Sequence, residues 1–250
     1  MKMRAYGMTD VGRVRSRNQD YIYCSSDPVG SLGNLFLVAD GMGGHRAGDY
    51  ASRFMVEGLA SYAQSRLGCP AVQVMKDGIR KINRELYELS VTQSALSGMG
   101  TTLVAATTEG NTLYVANVGD SRLYICRDGS MIQVTRDHSY VEELVARGQM
   151  ERNSRDYRQK KNIITRAVGV GRHVEADFFE EELIPGDVLL MCSDGLSNMV
   201  EEEEMASLLG ERCSLKRRTE KLICLANDRG GFDNIAVILV EPQIGEVGPC

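Results

Sequence analysis

Apolar residues in this chain follow two rhythms. Some form short, nearly unbroken β-prone runs closed by glycine, and others recur at helical spacing. The first rhythm predicts strands over 3–9, 21–24 and 35–40, with a polar, basic loop at 10–20 and turn chemistry at 26–34. Ala51, Phe54, Met55, Leu59, Tyr62 and Ala63 predict a helix over 47–66, which Gly68-Cys69-Pro70 ends. Val72, Met75, Ile79, Ile82, Leu86 and Leu89 share one face of a second helix over 71–90, so a helical layer against a sheet is expected. Short runs at 103–106, 112–118, 122–126 and 131–134, separated by tight turns, predict an antiparallel meander. A helix is expected over 139–149, followed by an exposed, mobile, strongly charged segment at 150–162. Residues 163–170 return to buried texture. Strands over 174–179, 188–193 and 235–240 and helices over 197–209 and 214–228 complete the pattern. Nothing resembles a linker, so residues 1–241 read as one domain, with 242–250 as a C-terminal tail.

Composition narrows the class. The chain has 250 residues, 43% hydrophobic and 25% charged, with a net charge of −5. This is ordinary for a soluble globular protein and unlike a nucleic-acid binder. The acidity is partly local, at Glu180–Glu182 and Glu201–Glu204, which read as solvated faces. No run approaches the ~18 apolar residues of a membrane span, and the N-terminus lacks a signal-peptide apolar core. Seven cysteines without a CxxC pair read as reduced thiols, so a cytoplasmic location is expected. Three histidines, at 45, 138 and 173, are too few for a His-rich metal site.

Aspartates carry the candidate chemistry. The run Leu35-Phe36-Leu37-Val38-Ala39 ends in Asp40-Gly41, which brings a carboxylate and a closely approachable carbonyl to one sheet end. Hard oxygens of this kind suit Mg²⁺ or Mn²⁺, although Asp-Gly is also a common turn dipeptide. Asp194-Gly195 repeats the arrangement after a second apolar strand. Asp20 precedes a strand, Asp120 lies between two, and Asp233 comes just before the last. Carboxylates that converge need cations between them, and a pair of divalent ions suits hydrolysis of phosphate esters. Ordinary acidic turns are the competing reading. Arg15, close before Asp20, suits a phosphate-bearing substrate, while Arg13 and Arg17 read as solvated.

The chain resembles the metal-dependent serine/threonine protein phosphatases, the protein phosphatase 2C-like family, in its compact bacterial form. The resemblance runs from Gly12 to Val240 and rests on segments that stand in family order. They are Arg15-Ser16-Arg17-Asn18-Gln19-Asp20, Val38-Ala39-Asp40-Gly41-Met42-Gly43-Gly44-His45, Gly100-Thr101-Thr102 and Val118-Gly119-Asp120-Ser121-Arg122. Four more follow: Thr135-Arg136-Asp137-His138-Ser139, Ile164-Thr165-Arg166-Ala167-Val168-Gly169, Cys192-Ser193-Asp194-Gly195-Leu196 and Asp233-Asn234-Ile235-Ala236.

The resemblance implies an α+β fold, an α-β-β-α sandwich of two mainly antiparallel sheets flanked by helix pairs. It implies hydrolysis of phosphoserine and phosphothreonine in proteins, by attack of a metal-bridging water on phosphorus, with two or three Mn²⁺ or Mg²⁺ ions. Asp40 is expected to bridge two metals with the Gly41 carbonyl as a ligand, Asp194 and Asp233 to hold one, and Asp20 to act on the other mostly through water. Asp120 matches a third, weaker metal position, Arg15 the phosphate-gripping arginine, and 139–162 the substrate-selecting flap. Phosphorylated proteins are the expected partners, such phosphatases commonly oppose a kinase, and a monomer is expected.

There are departures from the family pattern. Gln19 replaces the usual acidic residue, so one metal is expected to bind more weakly. The flap lacks the usual His-Pro element and carries Tyr157-Arg158-Gln159-Lys160-Lys161. Met42 stands where some members carry a proton-donating histidine, which leaves His45 or a metal-bound water as general acid. His138 reads as structural, packing or capping near a helix start. Two other readings are a catalytically weak pseudophosphatase acting as a binding module and a hydrolase for small phosphate esters.

Overall fold

Strand β3 (Leu35–Met42) sets the layering, because both of its faces are buried. Leu35, Leu37 and Ala39 point to a helical layer, and Phe36 and Val38 point into a core shared with a second sheet. The computed structural model describes residues 2–44, 47–152 and 154–244. In chain order these form β1 (Lys2–Asp10), β2 (Asp20–Ser25), β3, α1 (Ala47–Gln64), α2 (Ala71–Thr92), β4 (Gly100–Thr101), β5 (Leu103–Glu109) and β6 (Thr112–Val118). Then come β7 (Arg122–Arg127), β8 (Ser130–Gln133), α3 (Tyr140–Ala146), α4 (Arg155–Lys160), β9 (Asp177–Glu182) and β10 (Val188–Cys192). Helices α5 (Asp194–Ser197), α6 (Glu202–Leu209) and α7 (Leu215–Asp228) precede the closing strand β11 (Ile235–Gln243).

One sheet has the order β1-β11-β10-β7-β8. The other is β2-β3-β5-β6-β9, with the short β4 paired to β3. The strand pairs are antiparallel. Between the sheets, Phe36, Val38, Val104 and Val115 meet Leu123, Met191, Ile238 and Val240. The outer face of the second sheet packs on α1 and α2, and that of the first on α5, α6 and α7. The expected α-β-β-α sandwich is therefore what the chain builds. Strands buried on both faces explain why the runs at 35–39, 188–192 and 235–240 are continuously apolar rather than alternating. Among the described residues no helix is long and apolar enough to cross a membrane.

Five expectations are corrected. The meander is two hairpins in different sheets: β6 pairs with β5 and β9, whereas β7 pairs with β8 and β10. Gly119, with φ of 104°, carries the chain across. Turn spacing signals which strands follow one another, not which sheet each one joins. The segment at 150–162 contains α4, started by the Ser154 hydroxyl accepting from the Tyr157 amide at 3.2 Å. The helix expected over 197–209 forms only over Glu202–Leu209 as α6, and a separate single turn, α5, opens before it at Asp194. The strand expected at 174–179 is shifted to 177–182. The expected tail begins inside β11, since Pro242 and Gln243 pair with Met3 and Lys2; residues 245–250 lie outside those described.

Candidate active site

Antiparallel pairing of β2 with β3 sets Asp20 directly opposite Asp40. Thr102 fixes Asp40 from the other side: its Oγ1 accepts from the Asp40 amide at 2.9 Å, and its own amide donates to the Asp40 carbonyl at 2.9 Å. The Thr102 hydroxyl also meets the Ser121 hydroxyl at 2.8 Å, which ties β3 to the turn bearing Asp120. Gly41 is required by close approach, because a Cβ there would collide with the Gly48 carbonyl oxygen at the start of α1. At the end of β10, Ser193 stands at the N-cap position of α5 without capping it through its side chain. Its hydroxyl donates to Asp20 Oδ2 at 2.6 Å and accepts from the Ala236 amide at 2.9 Å. Asn234 orders the 11–19 loop: its Nδ2 donates to the carbonyls of Val11 and Arg17 at 2.9 and 2.8 Å, and its Oδ1 accepts from the Gln19 amide at 2.8 Å. That loop presents Arg15, whose Nη2 pairs with Asp233 Oδ2 at 2.9 Å. Sequence proximity pointed Arg15 toward Asp20; the fold gives it Asp233.

All five aspartates therefore meet at one end of the two sheets, and their charges act on one another. Burial pushes Asp20 up to about 8, with the charges of Asp194 and Asp233 adding to it against the Ser193 hydrogen bond. Burial, then Asp20, Asp194, Asp120 and Asp233, hold Asp40 well above the usual carboxylate range. Burial and Asp194 raise Asp120 to about 7, and burial and Asp233 raise Asp194 to about 6. Asp20 Oδ1 and Asp194 Oδ1 are buried with no hydrogen-bond partner. Among the described residues no three acidic, thiol or imidazole side chains are yet drawn around one point closely enough to hold an ion. Asp233 turns to Arg15 and Asp20 to Ser193 instead. The orphaned oxygens and the mutual repulsion nonetheless fit divalent cations, which bind hard oxygens and relieve both.

Several contributors went unread in the sequence. Arg122 lies in a motif but had no assigned part. Its guanidinium grips Asp137 with contacts of 2.9 and 2.7 Å and donates to the Tyr124 hydroxyl at 2.8 Å. Lys161 lines a cleft with Asp120, Asp137, Tyr157, Asp194 and Asn198. Burial first, and then the Arg122 charge, lower its pKa against the pull of Asp194. Ser193 and Thr102 carry no charge and no special spacing, so only the motif order hinted at them. Gln19 serves through its backbone, its carbonyl accepting from the Gly41 amide at 3.1 Å and the Ser52 hydroxyl at 2.6 Å. His138 is buried as expected, but Ser139, not His138, caps α3. His45 lies outside the described residues.

Two stacked antiparallel sheets between helix layers, with an aspartate cluster at their shared end, define a metal-dependent phosphatase class. The protein phosphatase 2C family model matches residues 12–227. The serine/threonine phosphatase stp of Listeria monocytogenes serotype 4b is 39% identical over 98% of this chain and 98% of its own. The solved serine/threonine phosphatase of S. agalactiae superposes with a TM-score of 0.90 at 39% identity, covering 96% of this chain and all of that one. The catalytic domain of PstP, solved with 2 manganese ions, superposes with a TM-score of 0.83 at 33% identity over 96% of this chain and 97% of its own. The chain belongs to the protein phosphatase 2C family and is a metal-dependent protein-serine/threonine phosphatase.

Proposed function

We propose that the aspartate cluster is where phosphoserine and phosphothreonine side chains of proteins are hydrolysed. Manganese or magnesium ions are the cofactors, in keeping with the two manganese ions of the PstP structure. The convergence of Asp20, Asp40, Asp120, Asp194 and Asp233, with two buried oxygens lacking partners, carries this reading. In it, Asp40 and the Gly41 carbonyl would serve two ions. Asp194 and Asp233 would hold one of them, Asp20 would act on the other mostly through water, and Asp120 would hold a third, weaker one. When bound, the ions polarise phosphoryl oxygens and lower the pKa of a shared water toward neutrality, which supplies the nucleophile.

The chain's own groups do the rest. Arg15, half-exposed at the rim, exchanges Asp233 for two phosphate oxygens and orients the ester. Ser193 keeps the Asp20 carboxylate aimed inward, and Asn234 holds the loop that carries Arg15. His45 is the side chain proposed to protonate the leaving serine or threonine oxygen, an office a water at the site also fits. We further read the chain through the end of β11 as one catalytic domain with 139–162 as its flap, working as a cytoplasmic monomer opposite a protein kinase. Free thiols at Cys24, Cys69, Cys126, Cys192, Cys213 and Cys224 support the reducing compartment.

The test is phosphate release from a phosphothreonine peptide with Mn²⁺, with Mg²⁺ and with chelator, beside Asp194→Ala and with a small aryl phosphate for comparison. Metal-dependent release that favours the peptide and is lost in the variant is expected. Release of aryl phosphate alone would make the chain a small-ester hydrolase. A folded protein inactive with both metals would make it a binding module.

A further inference from the structure

His138 is only 6% exposed, and none of the roles above uses it. It grips Gly119 twice. The His138 amide donates to the Gly119 carbonyl at 2.9 Å, and the Gly119 amide donates to ring Nδ1 at 3.1 Å. Because Nδ1 accepts, the neutral ring carries its proton on Nε2. Nε2 lies 3.1 Å from Asp177 Oδ2 and 3.1 Å from Arg166 Nη1; of the two only the carboxylate can accept its proton, so Asp177 is the partner that favours this tautomer. Arg166 Nη1 donates to the other oxygen of Asp177 at 2.7 Å and to the Glu175 carbonyl at 3.0 Å, so the carboxylate is held from both sides. The glycine at the focus has φ of 104°, and a Cβ there would run into Thr102. The next residue is Asp120.

We propose that His138, oriented by Asp177 and Arg166, is a positioning residue that holds the Gly119–Asp120 turn so that the Asp120 carboxylate can take a divalent ion. The inference rests on the reading of Asp120 as a ligand of the third ion. Asp120 is buried beside Asp194 and Asp137, whose charges repel it. Arg122, whose charge opposes this repulsion, is committed to Asp137 by two-pronged contact. A carboxylate so placed gains by rotating out toward water unless its backbone is fixed, and a glycine supplies no steric resistance of its own. The ring and main chain of His138 supply that resistance. Asp40 and Asp194 are carried by β3 and α5, whereas the hydrogen bonds of His138 act on the Gly119 backbone beside Asp120, so loss of the clamp falls on the third ion. His138 also stands at the foot of the flap, where the Thr165 amide donates to its carbonyl at 2.8 Å.

The experiment is a Mn²⁺ titration of the full chain by calorimetry, with circular-dichroism melting and ¹⁵N spectra of its three histidines. The variants are Asp120→Asn, His138→Leu, His138→Asn and Asp177→Ala. Asp120→Asn is expected to lose the weakest ion. His138→Leu is expected to weaken that same ion by about tenfold and leave the tighter ones unchanged. His138→Asn, whose amide oxygen stands where Nδ1 stood, is expected to recover most of the loss. One histidine is expected to keep an unprotonated Nδ1 in the parent protein and to lose this signature in Asp177→Ala. An isotherm unchanged in His138→Leu, with the weak ion still lost in Asp120→Asn, would overturn the proposal. So would loss of every ion together with cooperative melting in both His138 variants, which would make the ring a part of the fold alone. An isotherm unchanged in Asp120→Asn would instead overturn the reading of Asp120, and the positioning role with it.

Discussion

At the residue scale, carboxylates with similar chemistry acquire different tasks from what surrounds them. Asp40 is paired across the ladder with Asp20 and backed by Thr102, and four other aspartates raise its pKa after burial. Asp40→Asn keeps the shape and removes the charge. Turnover of a phosphopeptide is expected to fall roughly 100-fold or more while the melting temperature in chelator holds or rises. Near-normal turnover would remove Asp40 from the site. Arg15 sits half in solvent on Asp233. Arg15→Ala is expected to raise KM for phosphorylated substrates about tenfold with a smaller effect on kcat, the cost of one charge-assisted contact. An unchanged KM would leave it only the pairing with Asp233. Gln19 places an amide where a family carboxylate is usual, and the side chain lies against Gly48 beside the Gly41 carbonyl. Gln19→Glu is expected to tighten metal binding by adding charge there, and an identical metal titration would count against that.

At the element scale, β3 shows how the packing delivers the site. Its odd-numbered side chains from Leu35 to Ala39 anchor the α1–α2 layer, and its even-numbered ones lock it to the other sheet. The carboxylate that follows therefore has little freedom to move. Leu37→Ala is expected to cost about 2–5 kcal/mol in denaturant unfolding, because the cavity opens in a layer that cannot collapse. Residues 139–162 are held differently, by a buried acid. Burial opposes ionisation of Glu142, but Arg152 at 2.7 Å and the Tyr157 hydroxyl at 2.7 Å keep it below its ordinary pKa. Tyr157→Phe removes one of these donors. Cleavage by trypsin within 147–161 is expected to accelerate while global melting stays the same; equal cleavage rates would show that α4 is held by other contacts.

At the scale of the whole molecule, the aspartate cluster makes stability depend on pH and metal together. A carboxyl group whose pKa is higher folded than unfolded favours folding while it is protonated. Asp20 at about 8, Asp120 at about 7 and Asp194 at about 6 all stand above the ordinary 3.8. In metal-stripped protein their contribution is complete below about pH 4 and is lost as pH rises through about 6 to 8. The melting temperature in chelator is therefore expected to fall between about pH 5 and pH 8, and Mn²⁺ to raise it more at the upper end. A flat profile in chelator would show that burial and mutual repulsion do not raise these carboxyl groups in the folded state.

How much of this was legible from the chain follows from which interactions are local. Periodicity located β3, α1, α2, β10, α7 and β11 to within a few residues, because burial on both faces or on one stripe is written into neighbouring positions. Motif order marked Asp20, Asp40, Asp120, Asp194 and Asp233, and glycine beside three of them signalled close approach. What residues 112–126 do was not legible, since a turn between two strands looks alike whether the chain folds back or crosses to another sheet. Nor was the pairing of Arg15 with Asp233, or the clamp of His138 on Gly119, since each joins residues from separate elements that side-chain period does not relate. The sequence by itself determined the strands, the helices and the acids at their ends, through side-chain period and turn chemistry. Only the tertiary structure decided which acids face one another, which donors hold them and which oxygens stay without a partner, because those follow from how two sheets are stacked.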